Sequence, residues 1–229
     1  MKKIAILASI PFFINAHLEN KINHLLKKKY HITLITKTDI SLENFKKNKN
    51  LEIIDMNFAR KISIINDFFI LFSLIFHFSF QRYDIIHSYT PKVGLLTSLA
   101  AKITFHKIVI HTFTGQHWKN YRGIKKNFFK IIDKIIIKFN FSCFADSYSQ
   151  IEFIINEQVC KKNEIQIINY GSVGGINFDK FDNTLFNRDK ILKSLEINNE
   201  SFIITFIGRV NIDKGIFQLI DAFLNSLNK

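Results

Sequence analysis

The sequence predicts an α/β fold, in which a doubly wound parallel sheet is followed by the start of a second domain of the same type. Short runs of apolar, often β-branched residues alternate with longer segments of helical periodicity. These runs are mostly apolar or β-branched, as expected for parallel strands that helices cover on both faces. The 229 residues are 47% hydrophobic and 22% charged, which supplies enough apolar side chains for a packed core.

Residues 1–170 are predicted to form the first, complete Rossmann-like domain. The expected strands are Ile4–Ser9, His31–Thr36, Glu52–Met56, Asp84–Ser88, Lys107–Thr112, Ser142–Ala145 and Glu164–Ile168. The expected helices are Leu18–Lys28, Phe68–Phe80, Pro91–Phe105, Ile124–Phe139 and Ser147–Glu157. Their regular alternation predicts parallel strands joined by helical crossovers.

Two apolar segments resemble membrane signals. The amino-terminal run has basic residues and a small residue like those of a secretory signal, but Pro11 interrupts it and apolar positions continue beyond any cleavage site. A buried strand, a turn and a helix are favoured there. The segment Phe68–Phe80 is apolar for about 13 residues, short of the roughly 20 that a spanning helix needs. It is predicted to be a core helix.

Residues 171–200 are predicted to be a hinge or linker, and residues 201–229 to begin the second domain. Gly171, Gly174 and Gly175 open the linker, which is otherwise rich in Asn, Asp and Lys. A buried strand is expected at Phe202–Ile207 and a helix at Lys214–Leu227. The chain is therefore expected to end after the first βα unit of an incomplete domain.

The formal charge of +13 predicts attraction to nucleic acid, an anionic membrane or phosphorylated substrates. The positive charge is dispersed and no recognised nucleic-acid module is present, so nucleic acid is disfavoured. Only two cysteines occur, without metal or disulfide spacing, and they indicate a reducing, cytoplasmic setting.

The segment FIGRVNIDKG, residues 206–215, is the strongest candidate for ligand binding. It places Gly208 and Arg209 at the end of a predicted strand, and Lys214 and Gly215 at the start of a helix. A guanidinium, an ammonium and the amide groups of a helix amino terminus together suit a diphosphate. The alternative is a turn with two solvated cations.

Four ordered motifs resemble the retaining glycosyltransferases of family 4, the glycogen-synthase-like class, in its capsule and O-antigen branch. They are HSYTPKVGLLTSLAAK from His87, HTFTGQHW from His111, GSVGGINFDKF from Gly171 and FIGRVNIDKGIFQLIDAF from Phe206. The resemblance implies the GT-B fold, with two Rossmann-like lobes around a cleft. The first strand lacks GxGxxG, which argues against a nicotinamide enzyme.

The resemblance implies transfer of a hexosyl or hexosaminyl group from a nucleotide-diphosphate sugar onto a lipid-linked saccharide, with retention of configuration. Gly208, Arg209, Lys214 and Gly215 would then hold the donor diphosphate, with Arg209 and Lys214 stabilising the leaving group. No Asp-x-Asp motif is present, so no metal and no further cofactor are expected.

The resemblance places the acceptor side of the cleft in the first domain. The candidate residues follow two predicted strands: Thr90, Lys92, Gly94, His111, Thr114, Gly115 and Gln116. Gly115 would permit close backbone approach, and the polar side chains suit sugar hydroxyls or an acceptor phosphate. His117 is the candidate catalytic residue, although a lone histidine can equally be a hydrogen-bonded structural group.

Gly171, Gly174 and Gly175 would form the hinge beneath the cleft. Gly174 and Gly175 are expected to supply unusual backbone angles, and Ile176, Phe178 and Phe181 to anchor the segment. The alternative is an ordinary flexible linker. Members of the family commonly have Asp where Asn177 stands.

The helix at 124–139 carries a lysine at every fourth position, namely Lys126, Lys130, Lys134 and Lys138. This stripe predicts peripheral attachment to an anionic membrane surface near a lipid-linked acceptor. The alternative is a solvated lysine face on a helix that packs on the sheet.

The family also has a segment in which seven residues separate two glutamates, and this segment is expected beyond Lys229. The alternative function is therefore an inactive remnant or a noncatalytic saccharide-binding fragment.

Overall fold

The computed structural model describes residues 1–59, 63–175, 178–182, 184 and 186–227. The chain divides into two compact units, Met1–Ile176 and Asn177–Lys229. Four residues of the predicted hinge lie outside the described residues, namely Ile176, Asn177, Asn183 and Leu185.

The first unit contains a seven-stranded sheet with the order β3-β2-β1-β4-β5-β6-β7, and every neighbouring pair is parallel. The strands are β1 (Lys3–Leu7), β2 (His31–Thr36), β3 (Leu51–Asp55), β4 (Ile85–Tyr89), β5 (Val109–Phe113), β6 (Ser142–Ala145) and β7 (Ile165–Ile167). The predicted doubly wound α/β fold is confirmed. The strand order reverses at β1 and β4, and ligands bind in such sheets at the carboxyl edge beside that reversal.

The connections between the strands of the first unit are helical. They are α1 (Pro11–Phe13), a π-helical turn (Ile14–Leu18), α2 (Glu19–Lys27), α3 (Glu43–Lys46), α4 (Ile64–Phe80), α5 (Pro91–Ile103), α6 (Gly123–Phe139) and α7 (Tyr148–Asn156). Short 3-10 turns occupy Ile40–Leu42 and His117–Asn120. Pro11 and Pro91 each stand in the first turn of a helix, where the missing N–H is no loss.

The core of the first unit has a layer on each face of the sheet. On one face α4 and α5 pack against β1 and β4 through Leu74, Phe78 and Val93. On the other face Ile14, Leu18 and other residues of the amino-terminal helical segment pack against β1 and β2. Burial of the strands on both faces explains why their residues are mostly apolar or β-branched.

The first strand is central to this sheet, so the apolar amino-terminal run is a buried strand followed by a helical turn, as predicted. Within the described residues, no helix is both long enough and apolar enough to cross a bilayer.

The predicted helix α4 forms, but only one of its faces packs into the core, so the prediction of a core helix holds for that face alone. Ile70, Leu74 and Phe78 pack into the core, whereas Phe69 and Phe76 on the opposite side are more than 60% exposed. Its composition is apolar on every side, which usually indicates a fully enclosed helix. In the described structure the second face is uncovered, and the periodicity of the sequence does not show this.

The second unit contains a 3-10 turn at Phe178–Phe181, α8 (Arg188–Ser194), a 3-10 turn at Ile212–Lys214 and α9 (Ile216–Leu227). The predicted helix forms, but the prediction of a buried strand at Phe202–Ile207 is wrong. Phe202 and Ile207 are each more than 90% exposed, and residues 201–207 pair with no strand. A strand needs a neighbour for its backbone groups, and the described part of this unit supplies none.

Candidate functional site

A cavity of about 810 Å³ opens at the carboxyl edge of the sheet, beside the ends of β1, β4 and β5. It brings together six of the predicted site residues, which are Thr90, Lys92, Thr114, Gly115, Gln116 and His117. Its remaining lining residues are Ser9, Ala59, Pro91, Tyr121, Lys125 and Phe129. The loops after β4 and β5 meet because those parallel strands are neighbours, so their carboxyl ends share one edge.

The loop after β4 is held in an unusual backbone conformation. Thr90 has a φ of 67°, which is rare for a β-branched residue, and directly precedes Pro91 in the first turn of α5. The Thr90 hydroxyl lies 3.5 Å from that of Ser9, which follows β1. This conformation presents polar groups of two strand ends to the same cavity.

Lys92 lies on the cavity wall but has a partner within the protein. Its Nζ donates to Asp67 Oδ1 of α4 at 2.8 Å, and both side chains are less than 20% exposed. Asp67 Oδ2 also accepts from the backbone N–H of Ser63 at 3.2 Å. The ion pair fixes the position of the lysine and reduces the positive charge that it presents to an acceptor phosphate.

The loop after β5 supplies an open backbone and a fixed amide. Gly115 has a φ of 101°, and a Cβ added there would meet no atom within 4 Å, so its backbone faces free space. The Gln116 side chain accepts from Gln150 Nε2 of α7 at 2.9 Å. The loop thus combines a conformation that favours glycine with a polar side chain anchored from the far side.

His117 begins the 3-10 turn after this loop and stands edge-on to two aromatic rings. Its ring centroid lies 4.5 Å from that of Phe129 and 5.9 Å from that of Tyr121. Burial lowers the pKa of His117, and the nearby Lys125 lowers it further. The imidazole is therefore neutral at pH 7 and has one nitrogen available as a hydrogen-bond acceptor.

A buried hydrogen bond joins the same 3-10 turn to α6. Trp118 Nε1 donates to Asp133 Oδ2 of α6 at 2.7 Å, and both residues are almost fully buried. Burial raises the pKa of Asp133 to about 6, although hydrogen bonds from Trp118 and Gln116 act in the opposite direction. Asp133 ties the loop after β5 to α6.

His111 and Gly94 do not line the cavity, which corrects their expected placement. Both are buried, and a Cβ on Gly94 would lie 2.4 Å from His111 Cε1. His111 Nδ1 lies 2.9 Å from the hydroxyl of Ser88, and burial lowers the pKa of His111 to about 3. Alternate residues of a strand face opposite sides, so a strand histidine points into the helical layer and not over the strand end. These two residues pack α5 onto the sheet.

A polar network on the opposite face was not identified from the sequence. Lys21 Nζ lies 2.9 Å from His87 Nδ1 and donates to Tyr89 Oη at 2.8 Å, while His87 Nε2 lies 2.8 Å from Thr112 Oγ1. Burial lowers the pKa of Lys21 to about 8. His87 and Tyr89 are two residues apart in a buried strand, so their side chains face the same side of the sheet. This spacing is the sequence pattern that indicates the network.

The glycine segment 171–175 belongs to the first unit and packs closely on other parts of it. Gly171 has a φ of 96°, and a Cβ there would lie 2.3 Å from the Asp146 carbonyl oxygen. Gly174 needs no positive φ but approaches His17 so closely that a Cβ would lie 2.7 Å from its carbonyl oxygen. Gly175 has a φ of 66° in open space. Unusual backbone angles were expected at both Gly174 and Gly175, and that expectation is wrong for Gly174.

The expected anchors of the hinge are not buried in the described residues. Phe178 and Phe181 are both largely exposed.

The donor-clamp candidates lie in the second unit, on the segment between residue 208 and α9. Gly208, Arg209 and Lys214 are exposed, and Gly215 ends the 3-10 turn with a φ of 76°. The Arg209 carbonyl accepts from the backbone N–H of Asn211 at 2.9 Å. The left-handed conformation at Gly215 turns the chain directly into α9, as expected for a glycine at that position.

The lysine stripe of α6 is divided by an ion pair that links α6 to the end of α7. Lys126 and Lys130 contact Glu157 at 2.6 and 3.2 Å, and all three are about one-quarter exposed or less. Lys134 and Lys138 are exposed. The four lysines therefore do not form one uniform solvated stripe.

A second cavity, of about 860 Å³, lies at the amino end of β6 and β7. It is lined by both cysteines, and burial raises the pKa of Cys143 to about 12 and that of Cys160 to about 11. Such thiols are unreactive. The carboxyl edge, where predicted site residues converge, is therefore the stronger candidate site.

Comparison with known proteins identifies glycosyltransferases as relatives of this chain. The capsular polysaccharide biosynthesis glycosyltransferase CapM of Staphylococcus aureus is 31% identical over 206 residues, which cover 90% of this chain and 53% of that protein. The UDP-Gal:alpha-D-GlcNAc-diphosphoundecaprenol alpha-1,3-galactosyltransferase of Escherichia coli is 25% identical over 202 residues, which cover 86% of this chain and 50% of that protein. No protein-family model matches the chain.

The fold is also that of a solved glycosyltransferase. A glycosyltransferase from Rickettsia africae superposes with a TM-score of 0.74 at 18% identity, covering 97% of this chain and 56% of that one. The chain spans about half the length of the relatives that it matches. The resemblance to glycosyltransferases predicted from the four motifs is thus confirmed, and the chain has the fold of GT-B glycosyltransferases.

Proposed function

We propose that this chain contributes the acceptor side and the first part of the donor side of a glycosyltransferase. The enzyme would move a hexosyl or hexosaminyl group from a nucleotide-diphosphate sugar onto a lipid-linked saccharide in surface polysaccharide assembly, with retention of configuration. The observation that carries this proposal is the carboxyl-edge cavity, which gathers Thr90, Thr114, Gln116 and His117 from two neighbouring strand ends. Homology to a capsular glycosyltransferase supports it.

In this proposal His117 acts on the acceptor. Its lowered pKa keeps the imidazole neutral at pH 7, so the unprotonated nitrogen can accept a hydrogen bond from an acceptor hydroxyl. The edge-on rings of Phe129 and Tyr121 restrict how the imidazole turns. Gly115 leaves room for a sugar ring against the backbone, and the hydrogen bond from Gln150 to Gln116 holds the loop in position beside it.

Arg209 and Lys214 are proposed to hold the donor diphosphate, with Gly208 and Gly215 giving its oxygens close access to the backbone. Negative charge develops on the leaving diphosphate as the glycosidic bond breaks, and fixed cations lower that barrier. The guanidinium offers paired N–H donors and the ammonium a mobile point charge. A uridine nucleotide is proposed because the Escherichia coli relative is described as using UDP-Gal.

The proposed domains are 1–170 on the acceptor side, 171–200 as the hinge and 201–229 as the start of the nucleotide-sugar domain. The proposed location is the cytoplasm, at the inner face of the cytoplasmic membrane, where a polyprenyl-diphosphate acceptor would be embedded. The exposed Lys134 and Lys138 would contribute attraction to anionic lipid, which amounts to about 1 kcal/mol for each lysine near the surface. Lys126 and Lys130 would contribute less because Glu157 neutralises part of their charge.

A transfer assay tests the proposal. The purified chain is incubated with radiolabelled UDP-sugars and a polyprenyl-diphosphate-linked GlcNAc acceptor, and labelled lipid is counted. The assigned roles predict that each of three substitutions reduces transfer by about 100-fold or more. The substitutions are His117→Ala, Arg209→Gln and Lys214→Met. Transfer that persists at the wild-type rate in all three variants would contradict those roles.

The alternative is a saccharide-binding fragment without catalysis, in which the carboxyl-edge cavity binds the acceptor but no sugar is transferred. Acceptor binding distinguishes it, because binding needs the first unit only. A chain that binds the lipid-linked saccharide but transfers no sugar from any nucleotide donor would be such a fragment.

A further inference from the structure

The outer face of α4 carries a continuous row of exposed apolar side chains. Its members are Ile65, Phe68, Phe69, Phe72, Phe76 and Phe80, and each is more than half exposed. The ring centroids of Phe68 and Phe72 lie 4.5 Å apart, and those of Phe76 and Phe80 lie 4.7 Å apart, with the rings of each pair tilted. Phe68 to Phe80 spans about 18 Å along the helix. We call this set the phenylalanine ridge. Soluble proteins rarely expose an apolar surface of this kind without a partner.

Every polar side chain of α4 makes a hydrogen bond or an ion pair within the protein. On the exposed side, the hydroxyls of Ser73 and Ser79 donate to the carbonyls of Phe69 and Ile75, one turn earlier, at 2.9 and 2.8 Å. The other three also have protein partners: Asn66 bonds to Asn57, Asp67 pairs with Lys92, and His77 contacts Tyr83. Each polar side chain of the helix therefore keeps a protein partner when the ridge enters an apolar medium.

The same helical layer has a second apolar row. Helices α4 and α6 pack on either side of α5. On α6 the residues Ile124, Phe128 and Ile131 are more than half exposed, at helical spacing. Apolar side chains thus project outward from both outer helices of one layer.

The charge of this layer identifies its partner. α5 contains two lysines and α6 five, seven in all, against two aspartates in α4, α5 and α6 together. Asp67 is paired with Lys92, and Asp133 is buried against Trp118, so no carboxylate of these three helices is exposed. A cationic and apolar surface without exposed carboxylates matches an anionic bilayer, which offers both negative headgroups and hydrocarbon.

We propose that the phenylalanine ridge inserts into the interface of an anionic membrane, with α4 lying in the membrane plane and the lysines of α6 over the headgroups. The proposal goes beyond the lysine attraction described above, because it makes insertion of aromatic side chains the main source of affinity. It does not depend on the transferase activity. A second copy of the chain is the competing occupant, since a C₂ dimer would also cover the ridge.

Vesicle co-sedimentation tests the proposal with the full 229-residue chain. Anionic vesicles of phosphatidylcholine with about 30% phosphatidylglycerol are mixed either with wild type or with the double variant Phe72→Ser/Phe76→Ser. The double substitution is expected to weaken binding by about a factor of ten or more, because two large apolar side chains no longer insert. Wild-type binding should largely survive about 0.5 M NaCl, where exposed charges are screened.

Phe181→Ser/Phe186→Ser is the matched control, because these two side chains are 71% and 60% exposed, against 53% and 68% for Phe72 and Phe76. It should bind vesicles as wild type does. Circular dichroism and thermal melting confirm that both variants fold. The proposal is overturned if the ridge variant binds as tightly as wild type, or if wild type binds no vesicles. A wild-type dimer that the ridge substitutions convert to monomer, without loss of vesicle binding, would assign the ridge to self-association instead.

Discussion

Gly94 of α5 lies directly against the imidazole of His111, so closely that a Cβ would lie 2.4 Å from His111 Cε1 and 2.6 Å from Nδ1. Alanine normally stabilises a helix interior by about 1 kcal/mol relative to glycine. Here Gly94→Ala is expected to lower the free energy of unfolding by about 1–2 kcal/mol, because the added methyl group displaces a buried ring.

Denaturant unfolding of a double-mutant cycle measures this relationship. In a His111→Ala background, Gly94→Ala should cost less or become stabilising, with a coupling energy of about 1 kcal/mol or more. Additive effects of the two substitutions would show that the contact does not constrain the packing of α5.

Gly171 and Gly175 form a second matched pair, because both have a positive φ but only Gly171 is crowded. Gly175→Ala should cost about 1–2 kcal/mol from backbone strain alone. Gly171→Ala should cost about 1–3 kcal/mol more, since its Cβ would meet the Asp146 carbonyl. Equal losses in thermal or denaturant unfolding would contradict close packing of this segment on the first unit.

Asp133 predicts a pH dependence of stability with a defined sign. Burial raises the pKa of Asp133 from its ordinary value of 3.8 to about 6 in the folded chain, so the folded state binds this proton more tightly. Its contribution to stability is fully present below pH 3.8 and is lost as the pH rises through 6, by an amount of about 3 kcal/mol.

Unfolding of wild type and Asp133→Asn between pH 4 and 8 isolates that contribution. The wild-type value minus the variant value should fall as the pH rises across this window. A difference that stays constant or rises would place Asp133 in an environment unlike the one described. Asparagine retains an acceptor for Trp118 Nε1, so the hydrogen bond itself is not removed.

The lysines of α6 separate into a structural pair and a surface pair. Charge reversal at Lys126 and Lys130 places two carboxylates beside Glu157 and should lower stability by about 1–2 kcal/mol, a modest value because these groups are partly exposed. Charge reversal at Lys134 and Lys138 should leave thermal stability within about 0.5 kcal/mol of wild type.

Vesicle binding should show the opposite order. At low salt, Lys134→Glu/Lys138→Glu is expected to reduce binding to anionic vesicles by about tenfold or more. The melting temperatures and vesicle affinities of both double variants provide the comparison. Identical behaviour of the two variants in both measurements would contradict the division of the stripe.

The sequence predicted the strands of the first unit because each is a short run of mostly apolar or β-branched residues, bounded by polar or glycine-containing turns. The resemblance to family 4 implied that Thr90 and Lys92 belong with Thr114 and His117 on the acceptor side. The structure brings them together because the carboxyl ends of neighbouring parallel strands share an edge.

The predictions that failed concern contacts between residues distant in sequence. His111 lies within β5, and only the direction of its side chain shows that it faces α5. The partner of Lys126 and Lys130, Glu157, follows in a later helix. Gly174 is required by the approach of His17, more than 150 residues away, which no local pattern indicates. Likewise, the apolar sequence of α4 does not reveal which of its faces the core covers.

Photo-crosslinking of a lipid-linked saccharide tests the central claim most directly, because it needs neither the donor nor complete turnover. The chain is irradiated with a polyprenyl-diphosphate saccharide that carries a diazirine on its terminal sugar, and the crosslinked peptides are mapped by mass spectrometry. The account predicts adducts within residues 114–125, at the carboxyl-edge cavity, and their loss in competition with unlabelled acceptor. Adducts confined to other parts of the chain, or undiminished by the competitor, would contradict it.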